Sequence, residues 1–598
     1  MKNRYHTIII GTGCAGFNAA DRLYDLGVHD IAIVTEGRYM GTSRNTGSDK
    51  QTYYKLSLCG GEGDSVREMA DTLYAGGGVM GEHALCEAAY SVRCFMRLVE
   101  LGVGFPTNEY GEYAGYKTDH DPRSRATSCG PLTSKYMTEA LERSVVSKGI
   151  ELVDHQRVIK ILIDDNGVNG IVCASTVTGE ISVIGCQNVV LCTGGPAGIY
   201  KNSVYPESQS GATGLAIDAG ATLSNMEEWQ YGIASKGFRW NLSGSYQQVL
   251  PRYISVDAKG KENEFLYEAL GADSLGLIFL KGYQWPFDTR KLEGSSKIDI
   301  LVAREIKKGN RVYLDYTQNP KGLEKGFDNL TPEAHEYLMR SGVLFGTPIE
   351  RLVKMNRGAV ELYASHNIDL LSDRLEIAVC AQHCNGGVAV DLNWQSDVNG
   401  LYVAGEAAGT FGVYRPGGSA LNSTQVGSLR AAEHIAKTER QPRQMSEYFV
   451  PNIKFGVSNI RKIKEDLQDK MSRVADFDRD SCGMKALFDS VSKLCEDFFD
   501  VAVISDKSEI AELFKAYDIA LAIRSTLSAM VLSAEKLGSH GAAMVDGKAP
   551  NALAESRKTR TLTRAGKSEL DEVSPMPEPE LWFETLLARQ RKESCNEK

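Results

Sequence analysis

The run Gly11-Thr12-Gly13-Cys14-Ala15-Gly16 follows three apolar residues, Ile8 to Ile10, and leads into a stretch of small and apolar residues. Glycines at this spacing let a strand turn tightly into a helix, let backbone approach a pyrophosphate, and let the helix lie close to the strand. Gly11, Gly13, Cys14, Ala15 and Gly16 are therefore expected at a dinucleotide phosphate. The segment IAIVTE reads as a second strand. Glu36 at its end can accept hydrogen bonds from both hydroxyls of a ribose, which disfavours a ribose phosphate. Further along, VVLCTGG brings Thr193 and Gly194 to the end of another strand, and GLYVAGEAAG ends a strand in a Gly405-Glu406 turn. In VYRPGGSALN a glycine-rich turn opens a helix near Ser419, whose free N–H groups suit an electron-rich ligand.

Other side chains could move protons or hold anions. His383 stands just before the Asn385-Gly386-Gly387 turn, where an imidazole can bind substrate or exchange a proton. Arg415 precedes the last glycine turn and can hold a carbonyl, a carboxylate or a cofactor oxygen. The plain alternatives are a histidine bonded to backbone and an arginine pinning its loop through carbonyls. Arg304 in VAREIKKG is a candidate proton donor, although an exposed charged helix has the same pattern. Tyr231, Arg252 and Tyr253 lie in an aromatic-rich region and are candidates for a substrate pocket; packing alone would also explain them. The stretch TDHDPRSRATSCG, residues 118–130, reads equally as a loop near the site or a solvated one. CAQHC, from Cys380 to Cys384, offers two cysteines and a histidine without a fourth ligand, so no metal site is expected. No CxxC occurs, which argues against an iron–sulfur cluster held by this chain.

The elements that must position these groups belong to a long chain. At 598 residues it exceeds one core, and two to four domains are expected. Hydrophobic residues at 42% and charged residues at 24% fit an ordinary globular protein. A net charge of −10 argues against a broad nucleic-acid surface. No run of apolar residues is long enough for a membrane span. The short apolar run at the N-terminus leads straight into the glycine loop, so it reads as a buried strand and not a signal peptide. The 13 cysteines are scattered without a framework, and reduced thiols in the cytoplasm are the simplest expectation.

Taken in order, these motifs resemble the flavoprotein subunits of fumarate reductase and succinate dehydrogenase, with L-aspartate oxidase as a relative. The resemblance is carried by the GxGxxG with Glu36, LCTGG, SGATGLAIDAGATLSNMEEWQ, HCNGGVAVD, GLYVAGEAAG and RPGGSALN. It implies FAD, held at both ends of one split domain. It places Gly37, Thr42, Ser43, Gly405 and Gly418 among the cofactor contacts, Glu406 at the ribityl chain, and Ser419, Ala420 and Leu421 at the isoalloxazine ring. It implies an α/β fold: a discontinuous Rossmann-like FAD-binding domain at 1–225 and 375–438, an inserted α+β capping domain at 226–374, and a C-terminal helical domain and tail at 439–598. Membrane-bound members attach the flavin through a histidine in a TRSHT-like stretch. Asn45 stands at that place in Thr42-Ser43-Arg44-Asn45-Thr46, so the FAD is expected to be non-covalent.

The substrate pocket departs from that family. Of two histidines and two arginines that clamp a dicarboxylate there, His383 and Arg415 match. Gly232 replaces a lid histidine, and Ile300 falls where the proton-delivering arginine belongs unless Arg304 takes that role. GSHGAA (538–543) replaces an ESRGAH-like segment. Fewer cations make a C4 dicarboxylate costly to bury, and glycine for histidine is expected to leave room. The expectation is an FAD-dependent oxidoreductase that exchanges a hydride with a substrate carbon, most simply reducing a C=C bond conjugated to a carbonyl or carboxylate. Arg415 and His383 would act as a cationic pair. Electrons would pass to or from an external carrier, candidate partners including an iron–sulfur protein. The alternatives are a flavin subunit of an electron-transfer complex, an oxidase or dehydrogenase of an amine or hydroxy acid, and a flavin-binding protein whose reaction is lost.

Overall fold

The computed structural model describes residues 2–61, 63–324, 326–550 and 557–596. Its first sheet has seven strands. The opening strand Arg4–Ile10 lies between Ile31–Val34 and Ile181–Leu191 and runs parallel to both. Leu401–Val403 joins the far side of Ile181–Leu191, also in parallel. Parallel strands covered on both faces need apolar side chains on each, which is why Ile31–Val34 reads as an unbroken apolar run and is buried throughout. The antiparallel hairpin 156–175 extends the sheet.

Two helices meet under the ends of these strands. Cys14–Asp25 follows the first glycine turn, and Ser419–Lys437 follows the last. Their small residues allow close approach, and polar groups lock it. Asn18 Nδ2 donates to the Gln425 carbonyl at 3.0 Å, and Ser428 Oγ donates to the Ala15 carbonyl at 3.0 Å. The two sequence-distant motifs therefore converge at the C-terminal ends of the parallel strands of one sheet.

A second, antiparallel sheet of six strands rises beside the first. Its strands Trp229–Ser235 and Leu375–Cys384 are neighbours, and their register sets Gln230 opposite His383. Opposite Gln230 and Tyr231 the partner strand carries one extra residue, Gln382, a β-bulge that disturbs the alternation of Leu375–Cys384. Behind the outer strands, helices between residues 245 and 364 bury a separate apolar core that includes Trp240, Tyr246, Phe279 and Tyr363. A third core gathers Ile460–Val474, Ser481–Glu496 and the 27-residue helix Ile510–Lys536.

The charged, turn-rich end of the chain is more ordered than its composition suggests. Thr559–Arg564 and Lys567–Glu572 form a hairpin, and the first of these strands pairs with Leu223–Ser224. Leu223–Ser224 also pairs with Gly387–Val388, directly after the His383 turn. Arg557 ahead of the hairpin is buried, bonded to Glu227 at 2.7 Å and to Glu228, and His540 reaches Glu228 at 2.9 Å. The altered segment 538–543 is thus part of a buried ionic knot.

Candidate active site

The glycine turns define one long cavity of about 670 Å³ that runs between the two sheets. Gly11 has φ +108°, and a Cβ there would meet the Cys192 carbonyl oxygen at 2.6 Å. A Cβ on Gly16 would sit 1.9 Å from the Gly11 carbonyl oxygen. These two glycines are required by strand–helix packing itself. Gly418, at φ +91° against Thr52, turns the chain into the last helix.

Of the sequence candidates for a cofactor, Gly11, Gly13, Cys14, Ala15, Glu36, Gly37, Thr42, Ser43, Thr193, Gly194, Gly405, Glu406, Gly418, Ala420 and Leu421 all line this cavity. Gly16 and Ser419 lie behind the wall. Glu36 is not a lone acceptor: it pairs with Arg157 Nη1, and Lys515 Nζ stands 3.8 Å from its other oxygen. The Cys14 N–H is taken by Ser43 Oγ at 3.2 Å. Asn45 holds its own loop, donating to the carbonyls of Tyr39 and Gly41.

The cavity wall also carries buried polar atoms without a partner in the protein. They are Thr42 Oγ1, Gln156 Oε1, Thr193 Oγ1, Asn241 Oδ1, Gln382 Oε1 and His383 Nε2. Buried polar atoms are nearly always satisfied, and this row along one trough fits a long ligand with many polar groups, as a flavin dinucleotide is. Glu406 closes the row. Tyr205 donates to its carboxylate, as does the Cys384 N–H at 2.9 Å, and burial pushes its pKa up to about 7.

His383 and Arg415 come together at one end of the cavity through a residue that the sequence does not single out. Asn385 Nδ2 donates to the Val413 carbonyl at 3.2 Å, which turns its Oδ1 inward. That oxygen accepts from Arg415 Nε at 3.3 Å and lies 3.0 Å from His383 Nδ1. With an acceptor fixed there, Nδ1 must carry the proton, and Nε2 is left as a bare lone pair bordering the cavity. Burial first, and then the positive charge of Arg415, drive the His383 pKa well below its usual value. The expected cationic pair is therefore one cation and one neutral base.

Arg415 is itself buried, which lowers its pKa to about 10 and leaves it charged at neutral pH. Its Nη2 donates to Gln230 Oε1 at 2.7 Å. On its other side lies Glu87, a buried carboxyl that accepts from Ser423 at 2.7 Å and Thr410 at 3.2 Å; burial raises its pKa to about 7.

Strand alternation decides the fate of the lid candidates. Gln230 faces the cavity, so Tyr231 faces away; its hydroxyl meets Tyr200 at 2.8 Å and its ring packs toward Phe477. Gly232 faces the cavity side again, but leaves no room: a Cβ there would touch the Trp285 indole at 2.9 Å. Trp285 has taken the space, with its Nε1 bonded to the Ile233 carbonyl at 3.2 Å. Arg252 is paired with Glu264 at 2.7 Å, and Tyr253 donates to Gln247 inside the lid core, so neither borders the cavity. Arg304 lies on the exposed face of Ser296–Lys307, and Ile300 packs against the third core. No arginine from that helix reaches the site. Of the loop 118–130, Thr118, Asp119 and His120 do line the cavity. Among the described residues no cluster of His, Cys, Asp or Glu could hold a metal ion, and no helix is long and apolar enough to cross a membrane.

Trp285, Gln382 and Asn385 carry little signal in the sequence. The bulge explains Gln382: it lets two successive residues, Gln382 and His383, border the same cavity. Trp285 has only its neighbour Pro286 as a signal, and Asn385 only its place in the NGG turn.

Comparison with known proteins agrees with this layout. The model of the FAD binding domain family matches residues 6–421. L-aspartate oxidase of Streptomyces coelicolor is 27% identical over 442 residues, covering 72% of this chain and 67% of that protein. One chain of the CoM/CoB fumarate reductase of Methanothermobacter marburgensis is 25% identical, covering 89% of this chain and 93% of its own. Among solved structures, a quinol fumarate reductase chain from E. coli superposes with a TM-score of 0.71 at 18% identity, over 97% of this chain and 98% of that one. Adenylylsulfate reductase from Archaeoglobus fulgidus gives 0.64 at 15% identity, with 97% of each chain covered. A split parallel sheet, a polar trough and a family match over most of the chain lead to one assignment: the protein belongs to the FAD binding domain family and is an FAD-dependent oxidoreductase of the fumarate reductase and L-aspartate oxidase group.

Proposed function

We propose that this protein exchanges a hydride and a proton with a substrate across a bond conjugated to a carbonyl or carboxylate, most simply by reducing an activated C=C bond. The observation that carries the reading is the meeting of Arg415 and His383 Nδ1 on a shared Asn385 at one end of the trough, which leaves His383 Nε2 bare. FAD bound along the trough supplies a two-electron hydride donor when reduced and an acceptor when oxidised. Gly11, Gly13, Cys14, Glu36, Ser43, Thr193, Glu406 and Leu421 would hold it. Asn45, with an amide instead of an imidazole, favours a non-covalent complex.

In the reducing direction the β carbon gains the hydride, the π electrons move toward the carbonyl oxygen, and the α carbon then takes a proton. Arg415 holds the oxygen on which that charge builds. His383 is neutral at rest, so it acts first as an acceptor: in desaturation its Nε2 takes the α proton. In reduction it must gain a proton before giving one. Burial is the larger cause of the low His383 pKa, but a carboxylate seated against Arg415 offsets the part that Arg415 adds, so substrate binding and protonation of Nε2 reinforce each other. A single buried cation with a neutral imidazole suits one anionic group, and argues against a C4 dicarboxylate.

The parts fall into a cofactor unit at 1–225 and 375–438, a capping unit at 226–374 and a third unit from 439 onward. An external electron carrier supplies two electrons per turnover. The similarity to one chain of a multi-chain fumarate reductase supports a protein partner in that role, and co-purification of an iron–sulfur protein tests it. The reaction is tested anaerobically: the bound flavin is reduced, and conjugated acids, enones and fumarate are screened for re-oxidation. Re-oxidation by a conjugated acid or enone is expected. Rapid turnover of fumarate, or silence from every activated alkene, overturns the reading.

A further inference from the structure

The cavity is bordered by the lid as well as by the cofactor motifs. Its walls also include Phe279, Tyr283 and Tyr337 from the lid, and Tyr116 from the loop preceding His120. Phe279 meets Tyr337 edge-on at 5.3 Å between centroids and Tyr283 at 6.1 Å. The polar ends of these rings are already engaged. Tyr337 donates to Gln248 Oε1 at 2.9 Å, Tyr283 donates to Glu333, and the Tyr116 hydroxyl pairs with Thr52 at 2.7 Å. The Trp285 N–H is likewise spent on the Ile233 carbonyl. What these side chains leave for a ligand is ring surface.

We propose that this aromatic lobe takes the aryl group of a 3-aryl-2-enoic acid whose single carboxylate is held by Arg415; the proposal rests on the reaction given above. Three features favour that class. The inner end has one buried cation, so it holds one carboxylate. Trp285 fills the space beside Gly232, which denies a second carboxylate a place and continues the aromatic wall inward. The outer rings meet edge to face, an arrangement that a further planar ring extends by the same quadrupole attraction, whereas a flexible alkyl tail gains only burial. Each ring–ring contact of this kind is worth a factor of about two to ten in affinity.

The test uses the FAD-loaded full-length protein, oxidised and anaerobic. Three saturated acids, 3-phenylpropionate, hexanoate and butyrate, are titrated by Trp fluorescence and by the flavin absorbance band. The aryl acid is expected to bind about tenfold or more tighter than butyrate, and tighter than hexanoate. Tyr337→Leu is expected to shrink the aryl-to-butyrate ratio by about three- to tenfold, and Tyr337→Phe to restore most of it. Equal binding of 3-phenylpropionate and hexanoate, or a ratio unmoved by Tyr337→Leu in a protein that retains its flavin, overturns the proposal. The failure of the reaction is separable. If the aryl acid binds preferentially but no enoic acid re-oxidises the reduced flavin, the lobe stands and the reaction falls. If crotonate and cinnamate re-oxidise it equally well, the reaction stands and the lobe falls.

Discussion

Replacing Asn385 by Asp tests the logic of the proton-moving group directly. In the native protein the Asn385 amide oxygen lies 3.0 Å from His383 Nδ1 and 3.3 Å from Arg415 Nε, and carries no net charge. Asn385→Asp changes few atoms and sets a carboxylate at that point. An opposite charge this close raises a histidine pKa by about one to three units, or about 1.4–4 kcal/mol, with the lower end expected because Arg415 shares the new charge. The native His383 pKa lies well below its ordinary value of 6.5. A rate that needs the bare nitrogen should therefore be flat with pH from 6.5 upward in the native enzyme. In the variant the same rate should fall as pH drops, with its midpoint moved up by about one to three units, while the half-reaction that reduces substrate gains toward the acidic end of the range, where more of Nε2 holds a proton. The assay is anaerobic stopped-flow of both flavin half-reactions from about pH 5.5 to about pH 9, with imidazole NMR assigned by His383→Gln. Unchanged pH profiles in an FAD-replete variant would refute the argument, as would a native His383 titrating above pH 7.

Three further outcomes follow from particular contacts. Glu87 is buried and its pKa is raised from 4.5 to about 7, so the folded state keeps a proton there that the unfolded chain releases; its contribution is present below about pH 4.5 and is lost as pH rises through 7, at a cost of about 3 kcal/mol. Glu87→Gln should therefore raise the melting temperature at pH 8 and leave it nearly unchanged at pH 5; equal shifts at both would contradict this. Gly11→Ala combines φ +108° with a Cβ 2.6 Å from the Cys192 carbonyl, and should yield protein with much less bound FAD by its flavin absorbance per chain. Gly232→His should not confer fumarate turnover, because the new side chain collides with Trp285; the double variant with Trp285→Ala should accommodate it better, seen as recovered melting temperature.

Local pattern and global placement differ in how much they disclose. The two glycine turns, Glu36, the Gly-Glu turn and the last helix are legible because their chemistry is written in adjacent residues. Arg415 and His383 can be named for the same reason. Their protonation cannot, since it depends on Asn385, whose amide is oriented by the Val413 carbonyl. Tyr231 reads as a pocket residue, although strand alternation, anchored on Gln230, sends it the other way. The room expected beside Gly232 is closed by Trp285, a residue far along the chain whose Nε1 bonds the Ile233 carbonyl across 52 positions. Arg304 misleads because a helix carrying charges on one face gives no hint of which wall it backs onto.

The hairpin formed by Thr559–Arg564 and Lys567–Glu572 closes a sheet edge made much earlier in the chain. Thr561 bonds to Asn225 across 336 residues of chain, so the strand Leu223–Ser224, which pairs with Gly387–Val388 on its other side, keeps a raw edge until residue 563 has been synthesised. Such distant pairing is slow to form, and an uncovered edge invites association with other chains. A chain clipped before residue 559 would therefore leave Leu223–Ser224 unpaired on that side and open to association.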